Sequence, residues 1–274
     1  MRRTAAAGYD LIEVPVLDPA DVDPAMTREL AAEHGLTTRF STGLTPDTDV
    51  SSDDPDTVAA GARLLADAVD VVAAAGSDFL GGVVSSAMAK YTTLPTPRGR
   101  ANAIAVLRDV ADRAAADGIT IGLEVVNRYE SNLLNTADQA LAFLDELDRD
   151  NVGVHLDVYH MNIEERDLAG PVRRCADAGR LVHVHVGESH RGYLGTGSVD
   201  LLGLFRALAD VGYVGPLVFE SFSSVVVSEA FTTALGIWRE PWRDADDLAR
   251  HARQTIATHT HAARQLAADT EVHA

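Results

Sequence analysis

Short apolar segments alternate with longer amphipathic ones along the chain. Seven of the short segments have the length and β-branched content of strands. They are 9–16 (YDLIEVPV), 36–44 (LTTRFSTGL), 79–86 (FLGGVVSS), 119–126 (ITIGLEVV), 152–158 (VGVHLDV), 181–188 (LVHVHVGE) and 216–222 (PLVFESF). Between them, apolar residues recur at helical spacing near 26–34, 58–76, 98–117, 137–148, 167–179 and 200–211, and a last helix is predicted over 245–268. Asp117-Gly118, Ala178-Gly179 and Gly212-Tyr213 are helix-stop signals placed just before strands. Such alternation predicts parallel strands joined by right-handed crossovers.

At 274 residues this pattern means a (β/α)8 TIM barrel or a doubly wound sheet. No G-x-G-x-x-G follows an early strand, and Gly195-Thr196-Gly197 lacks a third glycine opening a helix, so the dinucleotide-binding sheet is disfavoured. Only seven strands are readable, and a helical pattern starts at Met1. The expectation is therefore one domain over 1–274, a TIM barrel lacking its first strand, either because the sequence starts short of it or because the barrel is open between the last strand and residues 9–16.

Side chains alternate along a strand, so parity tells which residues share a face. Glu124 shares one with Gly122 and Val126, Asp157 with Gly153 and His155, His185 with His183, and Glu220 with Val218 and Phe222. Four consecutive strands thus carry an ionisable residue near their C-terminal ends, 33, 28 and 35 residues apart, about one βα unit each. Parallel neighbours would bring all four out at one level of the barrel mouth. Barrel interiors are otherwise Val, Ile and Leu, and a buried carboxylate without a partner is costly or becomes protonated. The pattern predicts one divalent cation held by Glu124, Asp157, His185 and Glu220. Three oxygen donors and one nitrogen suit Mn2+ first, with Co2+ or Mg2+ as alternatives. His183 and His155, one layer deeper, read as hydrogen-bonded core histidines or supports of the ligands.

Composition narrows the classes. A net charge of −18 opposes nucleic acid as a partner. There is no apolar run of about 18 residues to span a membrane, and "MRRTAAAGYDLIEV" has no signal-peptide stretch. The lone Cys175 excludes an internal disulfide and fits a reducing, cytoplasmic location. Lys90 is the only lysine and falls in a loop, so Schiff-base chemistry has a single candidate.

Four motifs, "GLEVVNRYE" (122–130), "HLDVYHMNIEE" (155–165), "HVHVGESHRG" (183–192) and "LVFESF" (217–222), together resemble the sugar isomerase/epimerase group of xylose-isomerase-like TIM barrels. The D-tagatose/D-psicose (D-allulose) 3-epimerases are the closest type, with weaker likeness over 41–55. The resemblance implies the same four metal ligands, with Glu124 and Glu220 also the catalytic acid/base pair on opposite faces of the substrate C3. It implies that His160, on the loop after Asp157, contacts the ketose O2, and that Glu130 and Arg191 bind the hydroxyl end near C1. The implied reaction is metal-dependent epimerisation of a ketose at C3 through a cis-enediolate, in a homo-oligomer, dimer or tetramer. The scarcity of basic residues in the motifs points to a free sugar rather than a phosphorylated one.

Several features depart from that group or lie outside it. Its first strand has no counterpart here. The loop "SSAMAKYTTLP" lacks the tryptophan such epimerases often place there, leaving Met88 or Tyr91 to fill that wall. "GIWREPW" (236–242) adds two tryptophans that cap the pocket, form a subunit contact or pack in the core. Glu188 is read as an ion-pair partner or an organiser of its loop. Similar barrels also serve aldose–ketose isomerases, inosose-type dehydratases and C-glycoside-cleaving subunits, the alternative readings. An apurinic-endonuclease-type phosphodiesterase would want more histidines and a basic groove. A non-catalytic sugar-binding protein would leave two opposed glutamates without a purpose.

Overall fold

Each strand pairs with its neighbour in sequence, and every pairing is parallel. In the computed structural model, which describes residues 1–272, the strands are β1 (Leu11–Pro15), β2 (Thr37–Leu44), β3 (Phe79–Ala87), β4 (Thr120–Val125), β5 (Val152–Asp157), β6 (Leu181–Val186) and β7 (Leu217–Phe219). A short α1 (Arg2–Ala6) precedes them, and α2 (Pro24–Glu33), α3 (Pro55–Ala75), α4 (Pro97–Ala116) and α5 (Ala137–Leu147) follow the first four strands in turn. After β5 come α6 (Val158–Glu164) and α7 (Ala169–Asp177), after β6 comes α8 (Leu201–Asp210), and after β7 come α9 (Glu229–Ala234) and α10 (Ala245–Val272). The sheet curls until β7 approaches β1, but among the described residues no hydrogen-bonded ladder joins the two. This is the expected TIM barrel, with seven strands where a full barrel has eight.

Helix starts follow local polar chemistry. Asp23, Asp54, Thr96, Thr136 and Asp200 each accept a hydrogen bond from a first-turn amide, and Thr136 forms a reciprocal capping box with Gln139. Each such cap is worth about 1 kcal/mol and places the helix start where the sequence puts the residue. Two helices were not expected. α6 begins directly at the end of β5, with no turn residues between them, and at seven residues it is too short to show a period. α9 is capped by Ser228, whose hydroxyl accepts from the Phe231 amide.

The barrel interior explains why a buried strand carries imidazoles. The Phe79 ring lies across the barrel floor, stacked on His183 with centroids 4.5 Å apart and with the Arg39 guanidinium 4.4 Å from its own centroid. A Cβ at Gly81 or Gly122 would stand 2.7 or 2.5 Å from that ring, so glycine is the residue that leaves it room. Above it, His155 meets His183 and His185 edge-on at 4.5 and 4.0 Å. All three imidazoles are buried. Gly82 is constrained by the backbone itself: its φ is +109°, and a Cβ there would stand 2.0 Å from the Thr42 carbonyl oxygen of β2.

Candidate active site

Three of the four predicted ligands meet directly, and the fourth, Glu124, is joined to them through Asp157. Ligand atoms of Asp157, His185 and Glu220 all lie within 4.8 Å of one another, and those of Glu124, Asp157 and His160 do likewise, so Asp157 joins the two groups. They do not sit at one ladder level. Glu124 is level with His155, Asp157 with His185, and Glu220 lies two residues beyond Val218, the partner of His185. The tilt of strands in a barrel, and a register shift after Val154, bring residues from different levels to one spot.

Asp157 divides its two oxygens between structure and chemistry. Its Oδ1 accepts the His160 amide at 3.1 Å and caps α6. Its Oδ2 is buried without a hydrogen-bond partner and faces the equally unpartnered Nδ1 of His185 at 3.4 Å. Glu220 Oε1 lies 3.6 Å from the same nitrogen. Burial pushes the Glu124 carboxyl well above the usual range, with Glu220, Asp157 and Glu13 adding to the effect. Burial also raises Glu220, more than Arg191 and His185 can offset. Asp157 goes the other way, because His160, His185 and Arg191 outweigh its burial. Acidic groups crowded together with orphaned donor atoms aimed at one point fit a hard divalent cation. Among the described residues this cluster could hold one.

His160 sits beside this spot on α6 rather than on a loop. Its Nδ1 accepts the Asn127 amide at 3.1 Å, so the proton is on Nε2. Nε2 points between Glu124 and Glu130, at 3.7 and 3.9 Å. Burial holds this imidazole below its ordinary pKa, so it is a neutral donor aimed into the cavity. Asn127, which the sequence reading did not single out, also donates to Glu130 Oε1 at 2.8 Å and accepts the Tyr129 amide at 2.9 Å. It organises the β4 loop through short-range bonds that no spacing pattern reveals.

Arg191 closes the opposite side. Its guanidinium pairs with Glu220 and lies 3.8 Å from the Tyr159 ring centroid and 4.9 Å from that of Phe222. Its own φ is +61°, a left-handed conformation costing a non-glycine residue roughly 1 kcal/mol or more. Glu188 holds the loop in this shape. Fully buried, it accepts the amides of Ser189, Gly195 and Val199 at 2.8, 2.9 and 3.2 Å, which is the loop-organising role. Replacing Glu188 by Ala strands three amides and frees Arg191. We expect catalytic efficiency to fall roughly 10- to 100-fold, with a Tm lowered by a few degrees, as read by steady-state kinetics and calorimetry.

The cavity, of about 1930 Å3, runs from the mouth into the gap between β1 and β7. Glu124, Glu130, His160, His185, Arg191 and Glu220 line it, and so does Met88. Tyr91 does not: its hydroxyl turns away to Asp49 Oδ2 at 2.5 Å. The tryptophans do not cap the pocket. Trp242 is buried and donates to Ser221 Oγ at 2.7 Å, while Trp238 is 75% exposed. Ser221 in turn donates to the Arg191 carbonyl, so Trp242 braces the segment carrying Glu220 and the Arg191 loop together. One inward carboxylate was overlooked. Glu13 on β1 places its two oxygens 3.1 and 3.2 Å from His185 Nε2 and lies 2.8 Å from His183 Nε2. The parity rule applied to 9–16 would have flagged it on the face of Leu11 and Pro15.

The xylose isomerase-like TIM barrel family model matches residues 1–256. The ketose 3-epimerase of Arthrobacter globiformis is 53% identical over 93% of this chain and 88% of its own length. The L-ribulose 3-epimerase of Methylomonas sp. strain DH-1 is 50% identical, covering 92% of this chain and 87% of its own. A crystal structure of a D-allulose 3-epimerase from Methylomonas sp. in complex with D-allulose superposes with a TM-score of 0.91 at 48% identity, over 94% of this chain and 89% of that one. The chain belongs to the xylose isomerase-like TIM barrel family, and within it to the isomerase-class enzymes of ketose 3-epimerase type.

Proposed function

We propose that this chain epimerises a free ketose at C3, using one divalent cation held by Glu124, Asp157, His185 and Glu220. The observation that carries this reading is two partly buried glutamates, both raised towards protonation, beside Asp157 Oδ2 and His185 Nδ1, which stand unpartnered. A cation bound there, Mn2+ being the first to test, would supply Lewis acidity towards the ketose carbonyl and so make the C3 proton easier to remove.

The protein groups divide the rest of the work. One of Glu124 and Glu220 takes the C3 proton, and the other delivers a proton to the opposite face, inverting that carbon. His160, neutral and protonated on Nε2, donates a hydrogen bond to the O2 oxygen as charge develops there. Glu130 and Arg191 grip the hydroxyl end near C1. Arg191 also holds Glu220, so substrate binding and acid/base alignment share one side chain. Met88 and Phe222 supply apolar wall to exclude water.

The relatives' names make L-ribulose and D-allulose the first ketoses to assay. Incubated with Mn2+-loaded protein, each should give its C3 epimer as the sole early product, and EDTA should stop the conversion. Appearance of an aldose instead would replace this reading with aldose–ketose isomerisation.

A further inference from the structure

We propose that Glu13 is a positioning residue that dictates which ring nitrogen of His185 faces the cation, an inference that rests on the metal-site reading above. Hydrogen-bond chemistry links side chains of three strands, β1, β2 and β6. Arg39 Nη1 lies 3.1 Å from His183 Nδ1. A guanidinium only donates, so Nδ1 accepts and the single proton of a neutral His183 is on Nε2. That nitrogen faces Glu13 Oε2 at 2.8 Å. Glu13 Oε2 thus accepts from His183, while Nε2 of His185 straddles both carboxylate oxygens almost equally.

A carboxyl donating its own proton would set one oxygen, not both, on its partner, whereas an N–H is readily shared by two acceptor oxygens. Both Glu13 oxygens lie within hydrogen-bond distance of His185 Nε2, at 3.1 and 3.2 Å, so that nitrogen carries a proton. Once His185 gives up its other proton, the lone pair is on Nδ1. Nδ1 is the atom that faces Asp157 Oδ2 and Glu220 Oε1. The relay is Arg39, His183, Glu13, His185. It places the basic nitrogen at the mouth and the proton at the floor. His155, edge-on to both other rings, fills the space between them and fixes their planes. The three imidazoles come within 4.8 Å of one another, yet two are already turned to Glu13, which argues against a second cation among them. Carboxylates that orient a ligating histidine in this way typically govern metal affinity 10- to 100-fold.

The test is a Mn2+ titration of chelator-stripped protein followed by electron paramagnetic resonance. The unmutated chain should bind one Mn2+, and Glu13→Gln should bind it roughly 10- to 100-fold more weakly, with a cation-free Tm within a few degrees. Binding within twofold of the unmutated chain overturns the inference and leaves the metal site standing. No Mn2+ binding by the unmutated chain overturns both. Should Glu13→Gln fail to fold, histidine 15N spectra of the unmutated chain saturated with diamagnetic Mg2+ decide the matter. A proton on His185 Nε2 supports the relay, and one on Nδ1 overturns it.

Discussion

Glu124→Gln is expected to lower interconversion of the two C3 epimers by roughly 10³-fold or more while ketose binding changes only a few-fold. Glu220→Gln should do the same. Proton exchange with solvent then separates the two. If the glutamates work on opposite faces, each variant keeps the base that serves one epimer. Glu124→Gln should still exchange the C3 hydrogen of one epimer, and Glu220→Gln that of the other, although neither completes the inversion. A single-base enzyme would lose exchange for both epimers in one variant and neither in the other. Stability gives an independent reading. Burial and the surrounding carboxylates raise Glu124, so its charge opposes folding at neutral pH without a cation. The cation-free Glu124→Gln protein should therefore be at least as stable as the unmutated one, losing function without losing fold. Near-normal interconversion in either variant removes the acid/base assignment.

Asp157→Asn is expected to weaken Mn2+ binding by about 100-fold or more, measured by the same titration. The substitution is selective because Asp157 has two jobs. Asparagine is as good a helix N-cap, so the bond that starts α6 survives. What is lost is the negative charge at Oδ2, the oxygen aimed at His185 Nδ1. The neutral amide also leaves His160, His185 and Arg191 with less to face, so the cation-free protein should lose some stability. Epimerase activity should vanish at micromolar Mn2+ and recover in part at millimolar Mn2+. Recovery distinguishes a lost ligand from a collapsed site.

Much of this architecture is legible in the sequence because two periods carry it. Alternation by two and recurrence near 3.6 mark seven strands and the long helices, and parity alone places Glu124, Asp157, His185 and Glu220 on one face. What periodicity cannot give is register. Glu124 pairs across the ladder with His155, not Asp157, and only the barrel's shear brings it to the cluster. Elements shorter than two turns leave no period, hence α6 went unseen although its first residues follow Asp157 directly. Contacts made within a loop are equally silent: Asn127 beneath His160, and Glu188 beneath Arg191. Glu13 is different. It obeys the same parity as the other four, and it escaped notice because β1 reads as an ordinary apolar strand with one charge.

The most direct measurement is the position of deuterium in L-ribulose after incubation in D2O with Mn2+-loaded and chelator-stripped protein. The account predicts label at C3 alone, accompanied by the inverted epimer, and none without the cation. Label at C1, or equal labelling of C3 by the stripped protein, would contradict it.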